Sequence, residues 1–131
     1  MASRIQAIGA LRPRIELDKT AQKAELVRVL ARATSLTEGS VDLVIKELRD
    51  QIIEYFRTGR AVKIEGLGTW TPNIELDGRL DVQYRADTAL INGINMEGTF
   101  TGNVINRENI GKTGEQLVAL WNERNPQDQV E

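Results

Sequence analysis

The sequence of 131 residues contains no cysteine and no histidine. The missing cysteine excludes a disulfide scaffold. The absence of both residue types also excludes Cys/His zinc sites and every nucleophile that needs a cysteine or histidine partner. A chain of this length buries roughly two thirds of its unfolded surface, so it needs neither disulfides nor a metal for stability. A lack of cysteine is typical of a reducing cytoplasm. We therefore expect no cofactor and no structural metal.

Positive charge and long apolar runs are also scarce. The 17 Lys and Arg are outnumbered by 19 Asp and Glu, giving a formal net charge of −2. Affinity for nucleic acid comes mainly from neutralised phosphates, so this balance counts against a strong DNA-coating protein but allows a local basic patch. No stretch approaches the roughly 20 apolar residues of a membrane span, and Ile8–Leu11 is too short for a signal-peptide core. We expect a cytoplasmic protein without a membrane partner.

The N-terminal segment, residues 1–17, has several arginines but only one acid, Glu16. It predicts an irregular basic arm, for which two interpretations stay open. The arm is either a loose or partner-docked tail, or a segment that touches a phosphate backbone. Its arginines are Arg4, Arg12 and Arg14.

Two amphipathic helices are predicted next. The first runs over about Lys19–Ala33, with Asp18 or Thr20 as its cap. The second begins after the N-cap Thr37 and ends at Thr58-Gly59, where glycine supplies a left-handed cap. Its apolar side chains form a stripe about 120° wide. We assign this stripe to a buried core made of Val41, Val44, Ile45, Leu48, Ile52, Tyr55 and Phe56.

Alternating apolar and polar residues then predict a small sheet. Residues 60–65 form the first strand, Gly66-Leu-Gly68 makes a tight reversal, and residues 69–71 resume the extended backbone. Pro72 indicates an edge or bulge position. Asp77-Gly78 predicts a type I′ hairpin turn.

The third strand, Leu80–Arg85, leads into a short helix capped by Asp87. Residues 96–131 form an extension, in which a strand is predicted over Gly98–Ile105. Thr113-Gly-Glu-Gln116 is a capping box, which predicts a helix over residues 113–124.

This order of helix, helix, three-stranded antiparallel sheet and short helix resembles the HU and integration-host-factor family. The resemblance covers about residues 20–95. It is most specific at the first reversal, where Gly66-Leu-Gly-Thr-Trp70 is similar to the family's Gly-Phe-Gly-Thr-Phe turn. The other matching stretches are Lys23-Ala-Glu-Leu26, Leu36-Thr-Glu38, Gly59-Arg-Ala-Val-Lys-Ile-Glu65, Val82-Gln-Tyr-Arg85, Leu90 and Ile94-Asn95.

The resemblance implies an HU-like α+β fold in which two protomers intertwine. The apolar stripe of the second helix then becomes a shared core, and no stable monomer is expected. Residues 18–95 would be the dimerisation and DNA-binding domain, between the arm 1–17 and the extension 96–131. The extension is similar to those of divergent HU-like proteins, and we expect its Leu117 and Trp121 to pack on the body.

The sequence departs from the family where the DNA-binding arms belong. Family members carry two long basic β-ribbons with a proline near each tip, which wedges between base pairs. Here the interval 72–81 has one base, Arg79, against Glu75, Asp77 and Asp81. An acidic stub cannot wrap a polyanion, so DNA bending of the usual kind is not expected.

Two hypotheses about function stay close. The first is an HU-like, nucleoid-associated protein that contacts double-stranded DNA without sequence preference, weakly and with strong salt dependence. The second is an HU fold used as a structural or assembly module without DNA, in homodimers or larger assemblies. The candidate DNA contacts are Lys23, Arg57, Arg60, Lys63, Arg79, Arg85 and the arm residues Arg4, Arg12 and Arg14. For each of them the alternative is an ordinary solvated charge or surface ion pair.

An enzyme is the weakest hypothesis. The carboxylates at 75, 77 and 81 cluster in sequence, but on a turn that excludes no water. Gly66-Leu-Gly68 precedes a strand and lacks the helix N-terminus of a phosphate-binding loop. We predict a protein that is not an enzyme and takes no small-molecule ligand.

Overall fold

The computed structural model describes all 131 residues. The chain divides into two compact units. The terminal unit combines Met1–Lys19 with Thr101–Glu131, and the central unit comprises Thr20–Phe100. The predicted linear division into residues 1–17, 18–95 and 96–131 stays a prediction. None of the helices has both the length and the apolar character that a membrane crossing requires.

The architecture is α+β, as predicted. Two helices, a three-stranded antiparallel sheet and a short helix make up the central unit, and a small second sheet belongs to the terminal unit. The elements are α1 (Arg4–Leu11), β1 (Arg14–Ile15), α2 (Lys23–Thr34), α3 (Glu38–Arg57), β2 (Val62–Ile64), β3 (Gly68–Ile74), β4 (Leu80–Ala86), α4 (Thr88–Ile94), β5 (Val104–Ile105), a 3-10 turn (Arg107–Asn109) and α5 (Gly114–Arg124).

Helix α2 begins later than predicted. Its N-cap is Gln22, which makes no side-chain cap hydrogen bond, so the assignment of Asp18 or Thr20 as the cap is wrong. The Asp18 carboxylate instead accepts a hydrogen bond of 2.7 Å from the backbone N–H of the adjacent Lys19. A short polar side chain that binds its neighbour competes with helix capping, which explains the later start.

Helix α3 has the predicted ends. The Thr37 hydroxyl accepts a hydrogen bond from the Ser40 N–H at 3.1 Å. At the other end Gly59 has φ +77°, and its N–H reaches the Phe56 carbonyl while the Arg60 N–H reaches the Tyr55 carbonyl. This pair of bonds is a Schellman motif.

In the sheet β3 lies between β2 and β4. The last residue of β3 that pairs with β2 is Trp70. Pro72 pairs only with Val82 of β4, so its other side is an open sheet edge, as predicted. The turn beyond Ile74 is not type I′, because Leu76 and Asp77 lack positive φ and only Gly78 has it, at +89°. The Gly78 N–H donates to the Glu75 carbonyl, and the Glu75 N–H donates to the Arg79 carbonyl. The connection is thus a three-residue loop with glycine in the left-handed position.

The terminal unit replaces the predicted irregular arm. Ser3 caps α1 by accepting from the Gln6 N–H at 3.1 Å, and α1 packs against α5. Strand β1 pairs antiparallel with β5, with Arg14 opposite Ile105. The arm prediction is wrong because its partners lie about a hundred residues further along the chain, beyond the reach of local pattern. The buried apolar residues of this unit are Ala2, Ala7, Leu11 and Leu117.

Three asparagines, spaced three residues apart, connect the extension to the N-terminal segment by hydrogen bonds. Asn103 donates to the Glu16 carboxylate. Asn106 donates to the carbonyls of Ala10 and Arg12 at 2.9 and 3.1 Å, and the buried Asn109 donates to the Leu11 carbonyl at 2.7 Å. The predicted strand over 98–105 shrinks to β5 because these side chains, rather than a long ladder, connect the two segments.

The capping box of α5 is confirmed. The Thr113 hydroxyl accepts from the Gln116 N–H, and the Gln116 side chain accepts from the Thr113 N–H at 2.9 Å. Leu117 is buried, and the Trp121 indole N–H donates to the Asp128 carbonyl at 2.8 Å. Both side chains are thus used within the terminal unit.

Candidate nucleic-acid interface

The three-stranded sheet has one polar face and one apolar face. Residues paired across neighbouring strands share a face, and successive residues alternate between faces. Lys63 pairs with Thr69, and Thr69 with Arg85, so these three form a row across all three strands. The polar face, as the pairing defines it, contains Lys63, Thr69, Thr71, Asn73, Asp81, Gln83 and Arg85; the apolar face contains Val62, Trp70, Pro72, Ile74, Leu80, Val82 and Tyr84.

Lys63 and Arg85 are the cations of the polar face. Both are exposed, and neither takes part in any ion pair of the chain. They stand two strand spacings apart, or about 10 Å. The charge of Lys63 also acts on the carboxylate of Asp87, the N-cap of α4. Backbone N–H groups of Ala89 and Gly66 lower the pKa of Asp87, and the Lys63 charge contributes less.

Three other predicted contacts are already engaged on or near α3. The Arg57 Nη1 lies 2.5 Å from a Glu54 carboxylate oxygen, and the Arg60 guanidinium lies 5.0 Å from the centroid of the Tyr55 ring. Lys23 pairs with the Asp42 carboxylate at 2.7 Å, which Lys46 also contacts at 2.8 Å. The hydrogen bonds from Lys23 and then Lys46 lower the pKa of Asp42 to about 2. These exposed pairs hold their cations only weakly.

Arg79 lies apart from the Lys63–Arg85 row. It follows the hairpin turn, six residues before Arg85, or about 20 Å along an extended strand. Its own N–H donates to the Asp77 carboxylate at 2.9 Å, and Glu75 and Asp81 line the same shallow depression. The turn is a local excess of negative charge, and Arg79 does not change that.

The arm arginines belong to the terminal unit. Arg4 lies in α1, with a guanidinium nitrogen beside Gly114 of α5. Arg12 is the C-cap of α1, and Arg14 lies in β1 with its Nη1 3.4 Å from the Gly9 carbonyl. None of the three forms an ion pair. They are folded into helix and strand, and are not a flexible arm.

The predicted dimer core is only partly covered within the chain. In the central unit Val27, Ala31 and Val41 are buried, with Ile45 packed against them. Ile52 and Phe56 are half-buried, whereas Val44 is 61% exposed, Tyr55 44% and Leu48 41%. The stripe therefore presents a wide apolar surface that its own chain leaves open.

An open apolar groove continues this surface. It has a volume of about 720 Å³ and lies between α3 and the β3–β4 hairpin. The sequence did not predict this groove, because Ile53 lies outside the α3 stripe and no local pattern brings the apolar face of the hairpin beside α3. The alternation of Pro72, Ile74, Leu80 and Val82 was the available signal. Its apolar lining is Ile53, Phe56, Pro72, Ile74, Leu80 and Val82.

Nothing in the chain is arranged as a metal centre: no group of three or more Asp, Glu, His or Cys converges. The carboxylates of the hairpin turn are exposed, as expected for a solvated turn. The polar residues Thr69, Thr71 and Gln83 were also missed as candidate contacts, since only charge was considered.

Comparison with known proteins adds the family. The family model HU-HIG, described as an HU domain fused to wHTH, Ig, or Glycine-rich motif, matches residues 6–96, more than half of the chain. Among solved structures the chain is similar to a mutant HU from Thermotoga maritima, with 20% identity, a TM-score of 0.49, and coverage of 56% of this chain and 99% of that one. Comparison with curated proteins found no match. The expected resemblance to HU is thus confirmed by the family model, and the chain belongs to the HU-HIG family.

Proposed function

We propose that this chain is an HU-type architectural protein that contacts double-stranded DNA through the polar face of its sheet. The observation that carries the proposal is the row of Lys63, Thr69 and Arg85, with two exposed cations that have no ion-pair partner. Its place would be the cytoplasmic nucleoid.

The chemistry of the polar face suits phosphates rather than bases. Two cations flank the Thr69 hydroxyl, and hydrogen bonds from such groups to phosphate oxygens position a protein without reading sequence. A major groove admits a helix or a two-stranded ribbon, but the hairpin between β3 and β4 ends in the acids Glu75, Asp77 and Asp81, which disfavour its insertion between phosphates. Binding is therefore expected to be independent of sequence.

The hairpin turn argues for little bending. Its exposed acids Glu75, Asp77 and Asp81 would repel the DNA phosphate backbone, which the long basic arms of the family contact. No proline stands in the turn to wedge between base pairs, since Pro72 lies in β3. The duplex would rest on the sheet with its shape nearly unchanged.

The working form would be a homodimer. The exposed part of the α3 stripe and the adjoining groove are the surfaces that a second copy would cover, and their apolar character supports this arrangement. A dimer also doubles the polar face, giving two copies each of Lys63 and Arg85. Four neutralised phosphates predict a salt slope of about −3.6.

The second candidate function is assembly without DNA. It is favoured by Leu76, which is fully exposed at the acidic hairpin turn, since an apolar and acidic protrusion suits a protein surface better than a polyanion.

The test is a titration of a labelled duplex of about 30 base pairs at 50 and 200 mM salt. With four phosphate contacts the affinity should fall about a hundredfold between these conditions. The double variant Lys63→Gln/Arg85→Gln should lose binding. The control variant Lys46→Gln/Arg49→Gln removes the same amount of charge from ion-paired positions on α3. It should still bind the duplex. No binding at low salt would exclude the DNA proposal and leave assembly as the function.

A further inference from the structure

The hairpin turn carries an apolar side chain between two acids. Leu76 is completely exposed, with Glu75 before it and Asp77 after it, and neither acid forms an ion pair. The Asp77 carboxylate accepts the Arg79 N–H, which fixes the loop but leaves its charge in place. We call residues 75–77 the tip.

A second feature, on α2, has the opposite charge pattern. A shallow groove of about 350 Å³ runs beside the C-terminal half of α2, and we call it the α2 groove. Arg28 and Arg32 lie one helical turn apart on its wall and take part in no ion pair. The Arg28 Nε makes only a 3.4 Å bond to the Ala24 carbonyl of its own helix.

The α2 groove is lined by apolar as well as polar residues. Ala31 lines it from α2, and Leu36, which is 52% exposed, closes it beyond the helix end. Thr37 and Glu38 complete the lining, so the groove has one acid against two arginines. An exposed leucine beside two unpaired arginines is the complement of the tip.

We propose that the tip of one copy of this chain docks into the α2 groove of another copy. Leu76 would pack against Leu36, while Glu75 and Asp77 pair with Arg28 and Arg32. The occupant is a second copy because the same chain presents both halves of the complementary pattern. The two acids of the tip and the two arginines of the groove, which form no ion pair in the single chain, would each gain a partner in the contact.

Such a contact is heterologous, since tip and groove are different surfaces. Heterologous contacts that do not close into a ring grow into open filaments. A three-residue tip buries far less than the roughly 1,200 Å² of a stable interface, so one contact is weak. The dimer proposed above would present two tips and two grooves, and this multivalency would strengthen association. The contact itself does not require the dimer or DNA binding.

Sedimentation velocity over a hundredfold range of concentration tests the contact, without DNA. The sedimentation coefficient should rise with protein concentration, as assemblies larger than the smallest species grow. High salt should reverse this growth, because the ion pairs of the contact are exposed to solvent. Glu75→Lys/Asp77→Lys should abolish growth, and so should Arg28→Glu/Arg32→Glu. Glu65→Lys/Glu97→Lys makes the same charge change at exposed residues elsewhere in the central unit and should leave growth intact.

Mixing gives the decisive result. Equal amounts of the two charge-reversed variants should associate again, because each tip then faces an oppositely charged groove. Leu76→Ser is a gentler variant that should also reduce growth. A wild-type species of constant size at low salt would overturn the proposal, as would a failure of the mixture to associate. Arginine variants that lose DNA binding but still grow would instead assign Arg28 and Arg32 to phosphate.

Discussion

The α-carbon of Gly68 lies directly against the ring of Tyr84. A Cβ built on Gly68 would stand 2.7 Å from the Cε1 of that ring and would also overlap the Arg85 carbonyl oxygen. The Tyr84 ring cannot easily move away. Its hydroxyl donates a hydrogen bond of 2.7 Å to the Leu67 carbonyl, and its ring centroid lies 5.1 Å from that of Trp70. Gly68 also has φ +149°. The second glycine of the first reversal is therefore required by close approach as well as by backbone conformation.

Substituting Gly68→Ala should lower the free energy of unfolding by about 2–4 kcal/mol, since backbone strain and overpacking act together. Urea denaturation measures the loss. Gly66→Ala is the matched control, because Gly66 has φ +91° but nothing within 4 Å of a built Cβ. It should show the strain alone and a smaller loss. Equal losses in the two variants would contradict the packing argument.

The dimer predicts opposite outcomes for two neighbouring residues of α3. Val44 is 61% exposed and Leu43 65% exposed in the single chain, so glutamate at either position would be tolerated by a monomer. Val44 belongs to the apolar stripe, whereas Leu43 is turned about 160° from the stripe centre. Val44→Glu should abolish the dimer by burying an unpaired charge, and Leu43→Glu should preserve it. Light scattering with circular dichroism distinguishes them, and identical behaviour would exclude the proposed interface.

Asp42 should make stability depend on pH at the acid end. Lys23 and Lys46 lower its pKa from 3.8 to about 2 in the folded protein. Its stabilising contribution is therefore complete above about pH 4 and is lost as the pH falls towards 2. Asp42→Asn should be less stable than the wild type at pH 5, and the difference should shrink by pH 2. The effect is small because the pairs are exposed.

Urea midpoints at the two pH values measure this difference. Lys23→Gln should weaken the wild type at pH 5 and add little to Asp42→Asn, because the partner charge is then already gone. A constant difference between wild type and Asp42→Asn across the pH range would contradict the assignment.

Asn109 should be essential for the terminal unit. It is 1% exposed, donates to the Leu11 carbonyl at 2.7 Å and accepts from the Lys112 ammonium at 2.9 Å. Asn109→Ala removes the donor to Leu11 and should cost about 1–3 kcal/mol. Hydrogen exchange should report faster opening in α1, while the sheet of the central unit stays protected. Asn92→Ala, at an exposed position of α4, is the control and should leave α1 unchanged.

Elements with local signals were predictable. The Thr37 cap, the Gly59 end of α3, the Asp87 cap and the capping box of α5 each depend on residues a few positions apart. The apolar periodicity of α3 and the alternation of the strands are equally local. The predicted cap of α2 was wrong because Asp18 had a nearer partner. The hairpin itself was correctly predicted, but its turn type was wrong because Leu76 joined the loop and only Gly78 has positive φ.

The candidate interface was predicted only in part. Lys63 and Arg85 were candidates from their charge, but their row across Thr69 depends on strand register. Composition gave no reason to separate them from Lys23 and Arg57, which the fold places beside carboxylates. Arg28 and Arg32 were not candidates, because the groove they line also needs residues 36–38, which only the folded chain places beside α2.

By itself the sequence determined the α+β order of the central unit and the acidic character of the hairpin, since these follow from residue type and spacing. Its motifs also carry the resemblance to HU. Only the tertiary structure decided that the two chain ends form one unit. That unit depends on Asn103, Asn106 and Asn109 reaching backbone and side-chain acceptors between Ala10 and Glu16. Hydrogen bonds between segments so far apart leave no periodic trace in a sequence, because each partner is locally an ordinary polar residue.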